Sequence, residues 1–245
     1  MGVAGGAKTI NDDGLIMYLD AINNVCWTSE ADDCYNLVGS GTGSCENTIT
    51  LGENGSFVFD GTDPHIWLPT MNQIVGSANL ANYTFELWAK VESGAIGYTG
   101  PFGCKDPYWS SNPGGYCLQV RSDQNILIAD GTWGASTGDG GVGRKYPALA
   151  ASTANSENWN HYAITYDGSN TTVYRNTLST PPYTWGNGVA MNGDLYAKDG
   201  TLMLGGIAEN NDWDGWLALF KVYKKALSLS ELTANYNATK GRFGL

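Results

Sequence analysis

Few residues of this 245-residue chain carry a charge. Asp, Glu, Lys and Arg make up 15% of it, below the roughly 25% of an average globular protein. Positive charge is the scarcer sign: 13 Lys and Arg face 24 Asp and Glu, and the net charge is −11. Because such a chain repels phosphates, we expect no binding to nucleic acid.

Long hydrophobic runs are also missing. No apolar stretch approaches the roughly 20 residues that a membrane-spanning helix needs, so no membrane insertion is expected. The segment from Met1 to Lys8 lacks the apolar core of a secretory signal peptide. We therefore expect a protein that is made and assembled in the cytoplasm of its host cell.

Residues for catalysis are sparse. His65 and His161 are the two histidines, and the sequence contains no nucleophile elbow and no phosphate-binding loop. The eight glutamates form no Glu-x-Asp-x-Glu pattern, although glycan hydrolases act through paired carboxylates. Glu86 stands alone on its predicted strand. We expect no catalytic residues and no enzymatic activity, and a glycan-degrading hydrolase is the least favoured alternative.

The five cysteines show no Cys-x-x-Cys spacing, which argues against a zinc site. Cys104 and Cys117 flank a loop rich in Pro and Gly, and we predict a disulfide between them if the protein reaches an oxidising environment. A pairing among Cys26, Cys34 and Cys45 is a second option that the sequence leaves open.

Glycine and aromatic residues are abundant, with 33 Gly, 9 Trp and 14 Tyr. Glycine permits tight turns and aromatic side chains favour pleated surfaces, so the composition predicts short strands joined by turns. Apolar residues make up 42% of the chain, enough for a large core. With no linker or repeat in the sequence, residues 1–245 are predicted to form one domain with its core at about 14–236.

Alternating or apolar segments locate the strands. Residues 83–90 alternate, with Tyr83, Phe85, Leu87 and Ala89 on one predicted face and Thr84, Glu86, Trp88 and Lys90 on the other. Residues 23–54 are expected to form long loops with short strands. The remaining predicted strands are 14–20, 56–61, 116–121, 125–129, 161–166, 171–175, 201–204 and 216–223.

One helix is predicted near the end of the chain. Ser228 and Glu231 have the spacing of a capping box, in which each side chain satisfies a free backbone amide. Leu229, Leu232 and Tyr236 follow with helical spacing, which predicts a buried stripe, and the helix is expected to end near Asn237.

Several motifs in order resemble the concanavalin A-like superfamily, specifically its laminin-G-like jelly rolls. Residues 159–168 match a Trp-x-His-x-Ala-x-Thr-Tyr-Asp-Gly hairpin and are the most specific part of the resemblance. The other matching segments are 14–21, 56–63, 85–90, 214–223 and 225–228. The resemblance implies an all-β fold, a two-sheet antiparallel jelly-roll sandwich with one short C-terminal helix.

Calcium is the one cofactor considered, although none is required. Carboxylates near predicted turns supply the oxygen ligands that Ca²⁺ prefers, and these are Asp20, Asp60, Asp63 and Asp214. Aspartates also cap turns through their own side chains, so the alternative is a structural role. Residues 217–219 are Leu-Ala-Leu where the family often has acidic residues, and this departure argues against a family calcium site.

Loops rich in Gly and Asn carry aromatic residues that are candidates for stacking on sugars. The candidates are Tyr108, Trp109, Trp133, Trp185 and Trp213. The alternative is that these large rings plug the loops onto the core or pack at a subunit interface.

Residues 235–245, which end in Arg242-Phe243-Gly244-Leu245, resemble the end of bacteriophage virion proteins. The resemblance implies a virion structural or capsid-decoration protein, a homo-oligomer that contacts other capsid or tail proteins and is displayed on the particle. Host surface glycans are a further expected partner. A tail-associated carbohydrate-binding adhesin is the main alternative.

Overall fold

In the computed structural model, most of the described residues lie in β-strands, and these strands pair antiparallel. The structure describes residues 12–28, 32–62, 64–70, 73, 82–92, 99–104, 116–120, 126–130, 144–145, 158–167, 171–176, 183–185, 201–206 and 212–245. In chain order, the strands in this part are β1 (Leu15–Asp20), β2 (Asp33–Tyr35), β3 (Thr42–Glu46), β4 (Thr50–Leu51), β5 (Phe57–Asp60), β6 (His65–Thr70), β7 (Tyr83–Val91), β8 (Thr99–Cys104), β9 (Tyr116–Val120), β10 (Ile126–Asp130), β11 (Arg144–Lys145), β12 (Asn160–Tyr166), β13 (Thr171–Arg175), β14 (Tyr183–Trp185), β15 (Thr201–Leu204) and β16 (Asp214–Tyr223).

The strands form two sheets. The first has the order β14-β13-β12-β7-β16-β5-β4, and β1 also pairs with β16. The second has the order β11-β10-β9-β8-β15-β6-β3-β2. Strand β16 is long enough to pair with β7 along one side and with β5 and then β1 along the other. The predicted two-sheet antiparallel sandwich is confirmed.

An apolar core fills the space between the sheets. Phe85 of β7, Phe102 of β8 and Phe220 of β16 are fully buried there, and their ring centroids lie 5.2, 5.3 and 6.2 Å apart. On β6, Ile66 and Leu68 enter the same core. Side chains alternate along a strand, so the intervening residues of β6 lie on the opposite face of the second sheet.

The predicted capping box begins a helix, α1 (Leu229–Thr239). The Glu231 amide donates to the Ser228 hydroxyl at 3.4 Å, and the Ser228 amide donates to the Glu231 carboxylate at 2.8 Å. Leu232 and Tyr236 of the predicted stripe are buried, but Leu229 is 44% exposed. The prediction for Leu229 was wrong because the buried face of the helix is formed by Leu232, Asn235 and Tyr236, and Leu229 lies at the margin of that face.

The second face of β7 is buried as well, since α1 covers the outer face of the first sheet. Trp88 stacks on Tyr236 of α1 with centroids 5.5 Å apart, and its indole N–H donates to Thr239 Oγ1 at 2.9 Å. Thr84 and Glu86, on the same face, are also inaccessible to solvent. This face therefore carries a second packing layer.

The end of the chain is part of this layer. A short 3₁₀ turn (Lys240–Phe243) follows α1 directly. Phe243 packs against Trp159 with centroids 4.8 Å apart, and Arg242 reaches the carboxylate of Asp20 at 2.7 Å and the carbonyl of Gly55. The C-terminal segment is thus docked on the sandwich. Among the described helices, none is long and apolar enough to span a membrane.

Candidate functional site

The aromatic residues predicted to bind glycans fall in different places. Tyr108, Trp109 and Trp133 lie outside the described residues. The backbone of Trp185 ends β14, an edge strand of the first sheet, and its side chain lies outside the described part. These four predictions stay predictions.

Trp213 is placed in the core. Its side chain is fully buried and its ring lies 5.7 Å from the ring of Phe59. The Trp213 amide donates to the carbonyl of Gly205 at 2.8 Å. A Cβ on Gly205 would lie 2.2 Å from the Phe59 ring, so this close approach requires glycine. Trp213 therefore presents no ring face to a sugar. Its position matches the alternative interpretation, in which the ring packs its loop onto the core.

Of the predicted calcium ligands, Asp20 serves a structural role. Its Oδ1 accepts from Arg242 Nη1 at 2.7 Å, and its Oδ2 accepts from the Tyr18 hydroxyl at 3.0 Å. Asp20 pairs with Leu219 on β16, whereas Asp60 pairs with Asp214. Leu219 and Asp214 are five residues apart on β16, which corresponds to roughly 16 Å at about 3.3 Å per residue. Asp20 therefore lies apart from Asp60 and Asp214.

Asp60 and Asp214 face each other at the end of the β5–β16 ladder. Burial raises the pKa of Asp214, and the neighbouring charges of Glu92 and Asp60 raise it further. Asp60 also caps its own turn by accepting from the Thr62 amide at 3.0 Å. Within the described ranges, no three His, Cys, Asp or Glu side chains are placed to hold a metal ion. Asp63 lies outside those ranges, and calcium binding stays a prediction.

The predicted disulfide involves adjacent strands. Cys104 is the last residue of β8. Cys117 of β9 pairs with Gly103, the residue before Cys104, so the two cysteines are not directly opposite each other. The side chains of both cysteines lie outside the described residues, so this pairing also stays a prediction.

A cluster of aromatic and acidic side chains, part of which is accessible to solvent, lies beside β3 and β6 on the outer face of the second sheet. It consists of Glu46, His65, Trp67 and Asp212, and we call it the Trp67 patch. His65 and Trp67 share the outer face of β6 because they are two residues apart. Glu46 of β3 pairs directly with His65, and the Gly206–Asp212 bridge brings Asp212 to the other side of the histidine.

The members of the Trp67 patch hold each other in place. The indole N–H of Trp67 donates to Glu46 Oε2, and the His65 and Trp67 ring centroids are 5.5 Å apart. His65 Nε2 lies 3.0 Å from Asp212 Oδ1. Glu46 is exposed, Trp67 is half-buried, and the side chain of Asp212 is 20% exposed. The arrangement therefore offers a fixed aromatic surface beside two solvent-accessible carboxylates.

The other described tryptophans are less accessible to a ligand. Trp27, Trp88 and Trp159 are buried. Trp216 is half-buried, but the ammonium of Lys90 lies over its ring at 4.7 Å from the centroid. Trp67 is therefore the described indole that combines exposure with polar neighbours suited to hydroxyl groups.

Glu86 and His161 form a different kind of cluster. The Glu86 carboxylate accepts from Lys221 at 2.9 Å and from Asn235 at 2.7 Å, and His161 Nε2 lies 3.0 Å from it. Each of these side chains has an exposure of 0%. A substrate could not reach this carboxylate. The role of the network is structural, because it joins the first sheet to α1.

The sequence matches one family model, described as the "Concanavalin A-like lectin/glucanases superfamily", over residues 60–233. This range includes most of the sandwich and the start of α1. The chain belongs to this superfamily. No curated protein sequence matches the chain.

Solved structures share the superfamily fold at low sequence identity. The binding domain of Paraclostridial Mosquitocidal Protein 1 has a TM-score of 0.63 at 15% identity, over 92% of this chain and 52% of that one. The binding domain of Botulinum Neurotoxin DC in complex with SialylT has a TM-score of 0.63 at 12% identity, over 93% and 52%. The chain thus spans about half the length of these toxin domains.

A third similar structure has nearly the same length as the chain. It is Domain 4 of AbnA, a GH43 extracellular arabinanase from Geobacillus stearothermophilus, in complex with arabinotriose. Its TM-score is 0.51 at 18% identity, and the match covers 91% of this chain and 98% of that domain. The three structures show that the chain has the fold of lectin-like binding domains.

Sequence analysis did not select the Trp67 patch as a site. Residues 65–70 read His-Ile-Trp-Leu-Pro-Thr, and the proline within this segment weakened its strand signal. The alternation of His65, Ile66, Trp67 and Leu68 was the available clue. Glu46 and Asp212 are distant in sequence, and only strand pairing brings them beside Trp67.

Proposed function

We propose that this chain is a non-catalytic, lectin-like recognition domain that a bacteriophage particle displays, and that it binds host surface glycans through the Trp67 patch. The observation that carries the proposal is the half-buried Trp67 ring fixed beside Glu46 on a lectin-like sandwich. Binding sites for small ligands typically combine an aromatic surface with a few well-placed polar groups.

The patch has the chemistry that a sugar requires. The apolar C–H face of a pyranose or furanose ring can lie on the accessible part of the half-buried indole, and sugar hydroxyls can donate to the carboxylates of Glu46 and Asp212. The Trp67 N–H donates a hydrogen bond to Glu46, which orients the ring before the ligand arrives. This orientation lowers the entropic cost of binding. Binding of arabinotriose by the similar arabinanase domain supports the choice of a glycan ligand.

A purely binding role agrees with the distribution of acidic residues. Glu86, the carboxylate closest to a histidine in the first sheet, is sealed under α1. The binding domains among the similar structures support the same role. Incubation with polysaccharides and measurement of newly formed reducing ends tests the alternative of a hydrolase, and turnover by the purified chain would overturn the non-catalytic proposal.

A glycan array followed by calorimetry tests the binding site. We expect the chain to bind at least one glycan, and Trp67→Ala to weaken the affinity about tenfold or more, since an aromatic anchor commonly contributes over 1 kcal/mol. Glu46→Gln should weaken it less, because the amide still accepts one hydrogen bond. Tyr35→Ala removes another exposed aromatic ring from the same sheet and should leave the affinity unchanged.

Two outcomes would contradict this site. One is a glycan array with no signal above background for the folded chain. The other is a Trp67→Ala variant that binds as tightly as the parent while its circular dichroism spectrum and melting temperature show a native fold. In the second case, the tryptophan loops outside the described residues would become the sites to test.

The virion part of the proposal depends on the resemblance of residues 235–245 to virion proteins. We propose that the chain assembles as a homo-oligomer with capsid proteins, and a tail-associated adhesin is the alternative. Cryo-electron microscopy of the particles tests both: many copies on the capsid support decoration, and a few copies at the tail support an adhesin. Particles that lack the chain would overturn both versions.

A further inference from the structure

Three cysteines lie close together where β1, β2 and β3 meet. Cys26 follows the turn after β1, Cys34 is the central residue of β2 and Cys45 lies on β3. Cys26 and Cys34 are both fully buried, and their sulfur atoms are 3.4 Å apart. In the described part of the chain these thiols form no metal-binding group with a third His, Cys, Asp or Glu.

The backbone fixes the positions of the two contacting thiols. The amide of Tyr35 donates to the carbonyl of Cys26 at 2.7 Å, which closes the segment between the two cysteines independently of their side chains. The amide of Asp20 also donates to Cys26 Sγ at 3.4 Å. Since the fold already brings both ends of the segment together, a covalent bond between the sulfurs requires little rearrangement.

Cys26 differs in acidity from the other two thiols of the cluster, since the contact with Cys26 and burial raise the pKa of Cys34. The hydrogen bond between the two sulfurs lowers the pKa of Cys26, which favours a thiolate there. Burial raises the pKa of Cys45 to about 11, although a hydrogen bond from Trp27 lowers it in part. Because the thiolate is the reactive form in disulfide exchange, Cys26 is the expected nucleophile of the cluster.

We infer that Cys26 and Cys34 form an intramolecular disulfide when the protein meets a small-molecule disulfide such as oxidised glutathione, and that Cys45 stays a thiol. In the first step, the Cys26 thiolate attacks one sulfur of the oxidant, a mixed disulfide forms and one thiolate leaves, taking up a proton. In the second, Cys34 loses its proton and attacks the Cys26 sulfur, and the second thiol leaves. The two protein thiols are oxidised and the small disulfide is reduced to two thiols.

Peptide mapping after refolding in oxidised glutathione tests the inference, since a refolding chain exposes its thiols to the oxidant. Free thiols are alkylated, the chain is digested without reduction, and the peptides are identified by mass spectrometry. We expect a peptide in which Cys26 is linked to Cys34 and a separate peptide with alkylated Cys45. The bond should also raise the melting temperature by about 5 to 10 °C over the reduced protein, given the short loop that it closes.

Variants separate this bond from other pairings. In a Cys104→Ser, Cys117→Ser background, which removes the other predicted disulfide, Cys26→Ser should abolish both the linked peptide and the effect of reduction on the melting temperature. Cys45→Ser in the same background is the matched control and should keep both. If Cys26→Ser does not fold, the Cys104→Ser, Cys117→Ser protein melted with and without reductant still provides the test. Alkylation of both Cys26 and Cys34, or a link from either one to Cys45, would overturn the inference.

Discussion

Lys221 Nζ lies 2.9 Å from Glu86 Oε1 inside the protein, and both side chains are fully shielded from solvent. The same oxygen lies 3.0 Å from His161 Nε2, and the other carboxylate oxygen accepts from Asn235. The network therefore connects three neighbouring strands of the first sheet to α1. Charges in such a place are tolerated because each finds a partner that replaces water.

Removal of one member of this pair should be costly. We expect Lys221→Met to lower the free energy of unfolding by about 3 to 5 kcal/mol, because Glu86 would stay buried without its cation. Urea denaturation followed by circular dichroism measures the loss. A Glu86→Leu, Lys221→Met double variant should recover a large part of it, since neither charge then remains. A double variant less stable than Lys221→Met alone would contradict this explanation.

The acid limb of the stability curve should depend on Glu86. Burial alone raises the pKa of this carboxyl, but the charges and hydrogen bonds of Lys221 and His161 outweigh burial and lower it to about 2. A folded-state pKa below the unfolded value of about 4.3 means that the stabilisation is present above pH 5 and is lost as the pH falls toward 2, about 3 kcal/mol in total. Urea titrations across this pH range measure the loss.

Glu86→Gln is the variant that tests this dependence on pH. It should be less stable at pH 7 and should show a flatter acid limb than the parent. Glu231→Gln is the matched control, because the pKa of Glu231 is also lowered to about 2, but at a solvent-exposed capping position where it contributes little. An acid limb that is unchanged in Glu86→Gln would show that other carboxylates determine it.

The docked end of the chain should contribute to stability. Phe243 is 8% exposed and stacks on Trp88 with centroids 4.1 Å apart, whereas Leu245 is 54% exposed. We expect Phe243→Ala to cost about 2 to 4 kcal/mol and to change tryptophan fluorescence. Leu245→Ala should stay within about 0.5 kcal/mol of the parent. Equal effects of the two substitutions would contradict the packing described here.

The Asp60–Asp214 pair should be mildly destabilising in the absence of a cation. Because burial and then Glu92 and Asp60 raise the pKa of Asp214, its charge opposes folding at neutral pH, and stability should fall as the pH rises through the folded-state pKa. Asp214→Asn should raise the melting temperature by about 1 to 2 °C. Asp32→Asn makes the same change in net charge at an exposed site and should have a smaller effect.

Calcium can be tested with the same variants. Calorimetric titration of the EDTA-treated chain should show a heat that Asp60→Asn and Asp214→Asn abolish. Asp20→Asn should leave that heat unchanged, because Asp20 lies at the end of β1, away from Asp60 and Asp214, and contacts Arg242. A parent protein with no heat and no change in melting temperature on addition of Ca²⁺ would remove the calcium prediction.

Local patterns in the sequence were sufficient for many elements. The alternation of residues 83–90 predicted β7, and Ser228 with Glu231 predicted the start of α1, because both signals arise within a few residues. Strands β6 and β8 gave weaker signals, since each contains a proline and β8 also contains two glycines. Their place in the second sheet results from pairing with β3, β15 and β9, which are distant in sequence.

The sequence by itself determined the sandwich, its C-terminal helix and the superfamily, because alternation, capping residues and ordered motifs are local and survive without coordinates. The tertiary structure decided which side chains are accessible. Trp213 lies between two aspartates in the sequence and Trp67 between Ile66 and Leu68, yet Trp213 is fully buried and Trp67 is only half-buried beside Glu46. Accessibility depends on which distant strands and helices cover a residue, and the pattern around that residue does not contain this information.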